Sequence, residues 1–307
     1  MGFLDRLMGG GNADADAGAG ARDERRDASL AAVEAGGLPL NAQDRLKELA
    51  ADPNALFTSN LSVNAFALGE EAGVDPVCQV MGSSIYKMGW QSQGWQTGEL
   101  RVQTQALNHS RALALGRLRQ EAQLAGAHAV VGVTITRGAH DFVGDGIEFI
   151  ARGTAVRVPG APPDGDAVLT DLSVADYSKL LRGGYESVGI VAASSVYYIV
   201  ASWATRRAQG GWLSGRANQE LTDFTQGVYT ARELALSNLV RQTEGWDAEG
   251  IVGVDISQHV RTREVGSESS KRQDLIVTFH VVGTAIRRRG ASRIAIMPTV
   301  SQGAPQP

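Results

Sequence analysis

At 307 residues with 43% apolar side chains, the chain can bury one large core or two smaller ones. Its formal net charge is only -4 and its arginines are scattered rather than gathered in a stripe, so nothing marks a nucleic-acid or anionic-membrane partner. The single cysteine, Cys78, excludes an intrachain disulfide framework and a Cys-rich zinc site.

Residues 1–36 read as disordered. Gly9, Gly10 and Gly11 lead into an Ala/Asp/Gly stretch and the charge run from Arg22 to Asp27, which has too little apolar surface to fold. Ahead of it, Phe3, Leu4, Leu7 and Met8 would share one helical face, which suits either a weak membrane or protein contact or a frayed terminus. Over 37–55, Asn41 can cap a short helix reaching Ala50, with Asp44 three residues on, as in a capping box. The apolar approach to Cys78, through Val74, Val77 and Val80, points to a buried thiol.

From residue 56 onward the chain spells one unit twice. Leu61-Ser62-Val63 returns as Leu172-Ser173-Val174, and Ser83-Ser84-Ile85-Tyr86 as Ser194-Ser195-Val196-Tyr197. Val131-Gly132-Val133 matches Val252-Gly253-Val254, and Gly153-Thr154-Ala155 matches Gly283-Thr284-Ala285. The order never changes, and the offsets grow only through loop insertions. Each copy, 56–158 and 169–290, reads as a strand (77–89; 188–200), a loop through a Trp pair, and a helix (99–124; 220–243). A buried strand follows (129–136; 251–258), then a polar loop and a last strand (147–158; 275–287). On the first long helix Leu107, Ala114, Leu118 and Ala122 recur at helical spacing. Taken as β-β-α-β-β, of whose four strands those just given are three, each copy predicts an α+β domain, so that the chain is two tandem domains, each a mostly antiparallel sheet with one long helix on a face. Residues 159–168, with Pro159, Pro162 and Pro163, read as a short stiff linker, and 291–307 as a flexible tail. No run reaches the ~20 apolar residues of a membrane-spanning helix. With no secretion signal at the start, a cytoplasmic location is expected.

The run from Arg111 through Ala127-His128-Ala129-Val130-Val131-Gly132-Val133 to Gly153-Thr154-Ala155-Val156 resembles the YbjQ-like family, which carries a heavy-metal-binding label. The second copy fits through Arg232, Ala248 to Val254 and Gly283-Thr284-Ala285-Ile286. The resemblance implies small domains that form rings, commonly pentamers, with no defined biochemical role. The tandem arrangement departs from the family, and so does the missing Tyr-Glu pair at the start of each long helix. Because whole two-domain chains cannot supply an odd number of domains, the resemblance implies a doubled ring or a different stoichiometry.

A function inherited by both copies should rest on residues that both keep. The histidines fail this test: His109 faces Thr230, His128 faces Glu249 and His280 faces Ile150, while His140 and His259 do not align. No His-x-x-x-His or Cys-x-x-Cys spacing occurs, so no metal ligand is assigned, and a metal cofactor is implied by the family label alone. Asp141 and Asp145 read as solvated loop carboxylates. Ser83-Ser84 and Ser194-Ser195 lack a matched His base, and Gly144-Asp145-Gly146 is a turn with no helix N-terminus behind it. No catalytic residue is assigned.

What both copies keep is Trp90/Trp203, Trp95/Trp212, Glu99/Glu220, Thr104/Thr225, Gln105/Gln226 and Arg111/Arg232. Arg111 and Arg232 fall on the apolar stripes of their helices. A buried Arg needs a carboxylate or carbonyl partner, for which Glu99 and Glu220 of a neighbouring domain are candidates. The tryptophans read as interface anchors or as walls of a small pocket. The expected protein is a non-enzymatic, ring-forming homo-oligomer. The alternative is a small-ligand or metal-binding module with sites at domain seams.

Overall fold

The computed structural model describes residues 10–52, 54–89, 96–140, 146–161, 165–209, 218–267 and 271–289. Its elements are α1 (Gly10–Glu34), α2 (Leu40–Ala51), α3 (Val63–Ala72), β1 (Asp75–Lys87), β2 (Gly98–Glu99), α4 (Arg101–Leu124), β3 (Ala129–His140) and β4 (Gly146–Arg157). They continue with β5 (Val168–Leu169), α5 (Val174–Arg182), β6 (Tyr185–Ile199), α6 (Trp203–Gln209), α7 (Thr222–Arg241), β7 (Gly250–Val265) and β8 (Arg272–Arg288). The result is an α+β fold on two four-stranded sheets, ordered β1-β4-β3-β5 and β2-β6-β8-β7. All neighbours are antiparallel except β3 and β5.

The trios β1-β4-β3 and β6-β8-β7 are laid out alike. Each is broken by a bulge early in its first strand (Pro76/Cys78; Ser187/Gly189) and by another in its third (Val131/Thr134; Val252/Asp255). Opposite the second bulge sits the glycine of each Gly-Thr-Ala run. A Cβ on Gly153 would lie 2.6 Å from Val130 Cγ1, and one on Gly283 would lie 2.8 Å from Ile251 Cγ2, so the kinked strand crosses closely only over glycine.

The two shortest strands cross between the halves. β2 leads into the long helix of the first half yet pairs with β6, Gly98 facing Tyr198 and Glu99 facing Tyr197. The Leu100 amide continues the ladder, donating to the Val196 carbonyl at 2.8 Å. β5 pairs with β3 of the first half, and the Gly132 amide donates to the Leu172 carbonyl at 2.8 Å. The expected linker therefore ends inside a sheet at Val168, and Pro162 and Pro163 lie outside the described residues.

Helix α4 is enclosed on two sides. Its apolar stripe, Leu107, Ala114, Leu118 and Ala122, is buried against β1 and β4, and another flank packs on β6. One core consequently runs from Val80, Leu118 and Phe149 to Ile190, Val196 and Tyr198 of the second sheet. Each fully buried Leu or Phe contributes about 1.5–3 kcal/mol. Helix α7 packs on β6 and β8 through Phe224, Ala231, Ala235 and Leu239, but its other flank is bare, with Tyr229 64% exposed.

Three expectations need correction. Residues 10–34 form helix α1 rather than disorder. Alanine, the strongest helix former, recurs through it, and its C-terminal end is anchored where Arg117 donates to the carbonyls of Val33 (2.9 Å) and Gly37 (3.0 Å). Asn41 does not cap α2; Pro39 stands at that position without a side-chain cap, and Asp44 pairs with Arg25 of α1. Finally, each Leu-Ser-Val match opens a helix. Ser62 Oγ accepts from the Ala65 amide and Ser173 Oγ from the Asp176 amide, both at 3.2 Å, as N-caps do. Each half thus begins with a helix that the β-β-α-β-β reading lacked. Phe3, Leu4, Leu7 and Met8 lie outside the described residues, as does the chain after 289. Among the described residues no helix is long and apolar enough to cross a membrane.

Candidate functional site

The seam between α4 and the second sheet is where the polar side chains converge. Arg111 is 4% exposed. Its guanidinium donates to Ser194 Oγ at 2.6 Å, to the Ala192 carbonyl at 2.7 Å and to Asn108 Oδ1. Phe149 lies under it, 5.9 Å from Cζ to the ring centroid. Of the two kinds of partner expected for it, a carboxylate or a carbonyl, the Ala192 carbonyl is present; Glu99 lies 3.7 Å from Arg101, and the acceptors found for Arg111 are neutral. Burial pushes Arg111 down to about 10, so it stays charged at neutral pH.

Ser194 Oγ also lies 2.6 Å from His280 Nδ1, and Arg137 Nη1 lies 3.3 Å from His280 Nε2. A guanidinium can only donate. Nε2 is therefore the acceptor, and the imidazole proton sits on Nδ1, pointing at Ser194. The cross-strand register Ser194↔His280 creates this pair, whereas the matching register in the first half sets Ser83 against Ile150. The pair makes a poor nucleophile and base. Ser194 is fully buried, and His280 is pushed down to about 3, first by burial, then by Arg137, Arg111 and His259.

That depression has a pH consequence. The unfolded chain takes up a proton on His280 near 6.5, the folded chain only near 3. The contribution to stability is therefore complete above about pH 6.5 and is lost as pH falls toward 3. In thermal denaturation across that window, His280→Ile, which installs the residue found at 150, should lose less stability on acidification than the parent. An unchanged slope would contradict the assignment.

The other sequence-selected residues are dispersed. Glu99 and Gln105 line an open groove of about 810 Å³ between α4 and α7. Thr104 is buried and accepts from the Val196 amide at 3.0 Å. Glu220, Gln226 and Arg232 are exposed. Trp203 is 68% exposed with Arg207 stacked 5.5 Å from its ring, so in the chain by itself it anchors no buried interface. Trp90, Trp95 and Trp212 lie outside the described residues.

Sequence reasoning missed Asn60 and Asp171, one residue before each Leu-Ser-Val match. The amides of both donate to the threonine of a Gly-Thr-Ala run at 3.2 Å, Asn60 to Thr154 and Asp171 to Thr284, and each threonine hydroxyl donates back to their side chain. The matching offset was the available signal.

Among the described residues nothing fits a heavy metal; Asp141 and Asp145 lie outside them. Among the described residues no three His, Cys, Asp or Glu side chains gather as a metal site would require. His280 has both nitrogens engaged and a guanidinium on each side. Cys78 is buried and burial pushes its thiol up, away from the thiolate that metals bind.

Residues 78–159, spanning β1 to β4, match the family described as "Putative heavy-metal-binding" (YbjQ_1). No solved structure matches the chain. Over 241 residues it is 37% identical to a protein of Mycobacterium tuberculosis (strain ATCC 25618 / H37Rv) named "Encapsulin nanocompartment protein Rv1762c". That alignment covers 76% of this chain and 87% of the relative. Identity at this level over most of both chains shows that this protein belongs to the family of that mycobacterial nanocompartment protein.

Proposed function

We propose that this is a non-enzymatic, self-assembling protein whose halves are copies of one unit and whose chains join head to tail into a closed ring, acting as a component of a protein nanocompartment. The relative's name supports the compartment role. The observation that carries the assembly is a surface covered in one half and bare in the other. Val196 is 3% exposed and its match Ile85 53%; Ala192 is 5% exposed and its match Met81 51%. Arg111 is buried, whereas Arg232 is exposed.

The missing cover is the α7 flank of another chain, which corresponds to the α4 flank that covers β6. Repeating the in-chain contacts gives the register. The Leu221 amide donates to Ile85 as Leu100 does to Val196, and the Ser59 amide to Ile251 as Thr170 does to Val130. The Gly253 amide donates to Leu61 as Gly132 does to Leu172. Both bare edges, on β1 and β7, are thereby paired, which removes the aggregation hazard of open strands. A head-to-tail contact of this kind closes into a ring when its rotation allows.

Ile85→Asp tests this reading. The site is exposed in one chain, so stability should change by less than about 0.5 kcal/mol, while a charge in the joined seam should dissociate the assembly. Light scattering should show a single chain for the variant and a multiple for the parent. Retention of the parental mass by the variant would sink the proposal.

A further inference from the structure

Between the halves, a cavity of about 240 Å³ opens beside Arg111, walled by Ile135, Arg137 and Phe149 of the first half and by residues of β7 and β8. One side is cationic. Arg111 and Arg137 stand on either side of the His280 ring, joined to it through Ser194 and directly, and Arg261 adds a further charge close to Arg137. Among the described residues Arg111 and Arg137 have no carboxylate in an ion pair. His280 is neutral in this setting, and the one carboxylate in the wall is Asp255. Three of the five N–H donors of Arg111 have acceptors among the described residues, none of them charged. A buried cation that lacks a counter-charge is costly, and an anion in the cavity would supply one. The other side is apolar, formed by Ile135, Phe149 and Val282.

We propose that this cavity binds a small organic oxyanion, with its carboxylate- or phosphate-type head held between Arg111 and Arg137 and its apolar body against Phe149 and Ile135. Arginine suits that head because its planar fork matches two oxygens at once. The site forms within one chain, so it stands independently of assembly. It is also particular to this seam: where the in-chain seam has Arg137 and His280, the matched positions of a chain-to-chain seam have Gln258 and Ile150.

Benzoate is a suitable probe because it joins a carboxylate to a flat apolar ring; benzyl alcohol is its uncharged counterpart, and sodium chloride controls for ionic strength. Calorimetric titration of the full chain should show benzoate binding that benzyl alcohol and chloride do not reproduce. Arg137→Gln, at an exposed position that the fold tolerates, should weaken binding at least about tenfold, the loss of one charged hydrogen-bonding partner of roughly 1.4 kcal/mol or more. Light scattering on the same samples reads assembly separately. Equal responses to benzoate and benzyl alcohol, or an unchanged affinity in Arg137→Gln, would overturn the proposal.

Discussion

Replacing Gly82 by valine should cost at least about 3 kcal/mol and lower the melting temperature by roughly 10 °C. A Cβ at Gly82 would lie 2.0 Å from the Ala114 carbonyl oxygen and 2.5 Å from the Leu118 amide nitrogen. Both obstacles are backbone atoms of α4, so no side chain can rotate away; the helix must lift off β1. That lift would loosen Leu118 and Ala122 on one side and the Arg111 contacts on the other, because the same helix serves both sheets. Gly116, in the same helix, provides the control. A Cβ there meets nothing within 4 Å, so Gly116→Ala should stabilise the chain by about 0.5–1 kcal/mol. Thermal denaturation of the two variants checks both signs, and a mild Gly82→Val would refute the close approach of α4.

The second large effect is an asymmetry between matched arginines. Arg111→Ala removes three charge-assisted hydrogen bonds, each contributing about 1.5–3 kcal/mol, and leaves a cavity. It also relieves the burial of a cation. The depression to about 10 sets that relief at roughly 3 kcal/mol, less than the summed bonds, so a net loss of about 2 kcal/mol or more is expected. Arg232 is exposed in the single chain, and Arg232→Ala should leave its stability within about 0.5 kcal/mol. If chains repeat the in-chain seam, the same substitution should weaken assembly. Urea denaturation at low concentration, paired with light scattering at high concentration, separates the two effects. Equal destabilisation by both variants would contradict the covered-and-bare account.

Much of the fold was legible because its signals are local. The stripe Leu107, Ala114, Leu118, Ala122 announces α4, the β-branched run 188–200 announces β6, and Gly-Thr-Ala announces the close crossing at the bulge. The elements missed were short or compositionally disguised. Helices α3 and α5 are only 10 and 9 residues long, too short for a periodic pattern to stand out. The Gly- and Asp-rich start of α1 concealed its helical alanines.

The site was less legible than the fold. That Arg111 lies on a buried face could be read from its spacing, but its acceptors could not. Two of the three, Ser194 and Ala192, belong to β6, more than eighty residues away, and depend on how the second sheet docks against α4. The Ser194–His280 pair depends on strand register, which a sequence pattern does not fix once both faces of a strand are buried. The different fates of Arg111 and Arg232 were beyond reach, since two matched residues in one chain differ only in what covers them.

The central claim is that the contact made once inside the chain is made again between chains. Sedimentation velocity of the intact protein at micromolar concentration tests it most directly. The account predicts a single species at a whole-number multiple of 32.4 kDa that persists on dilution, and a species at 32.4 kDa across that range would contradict it.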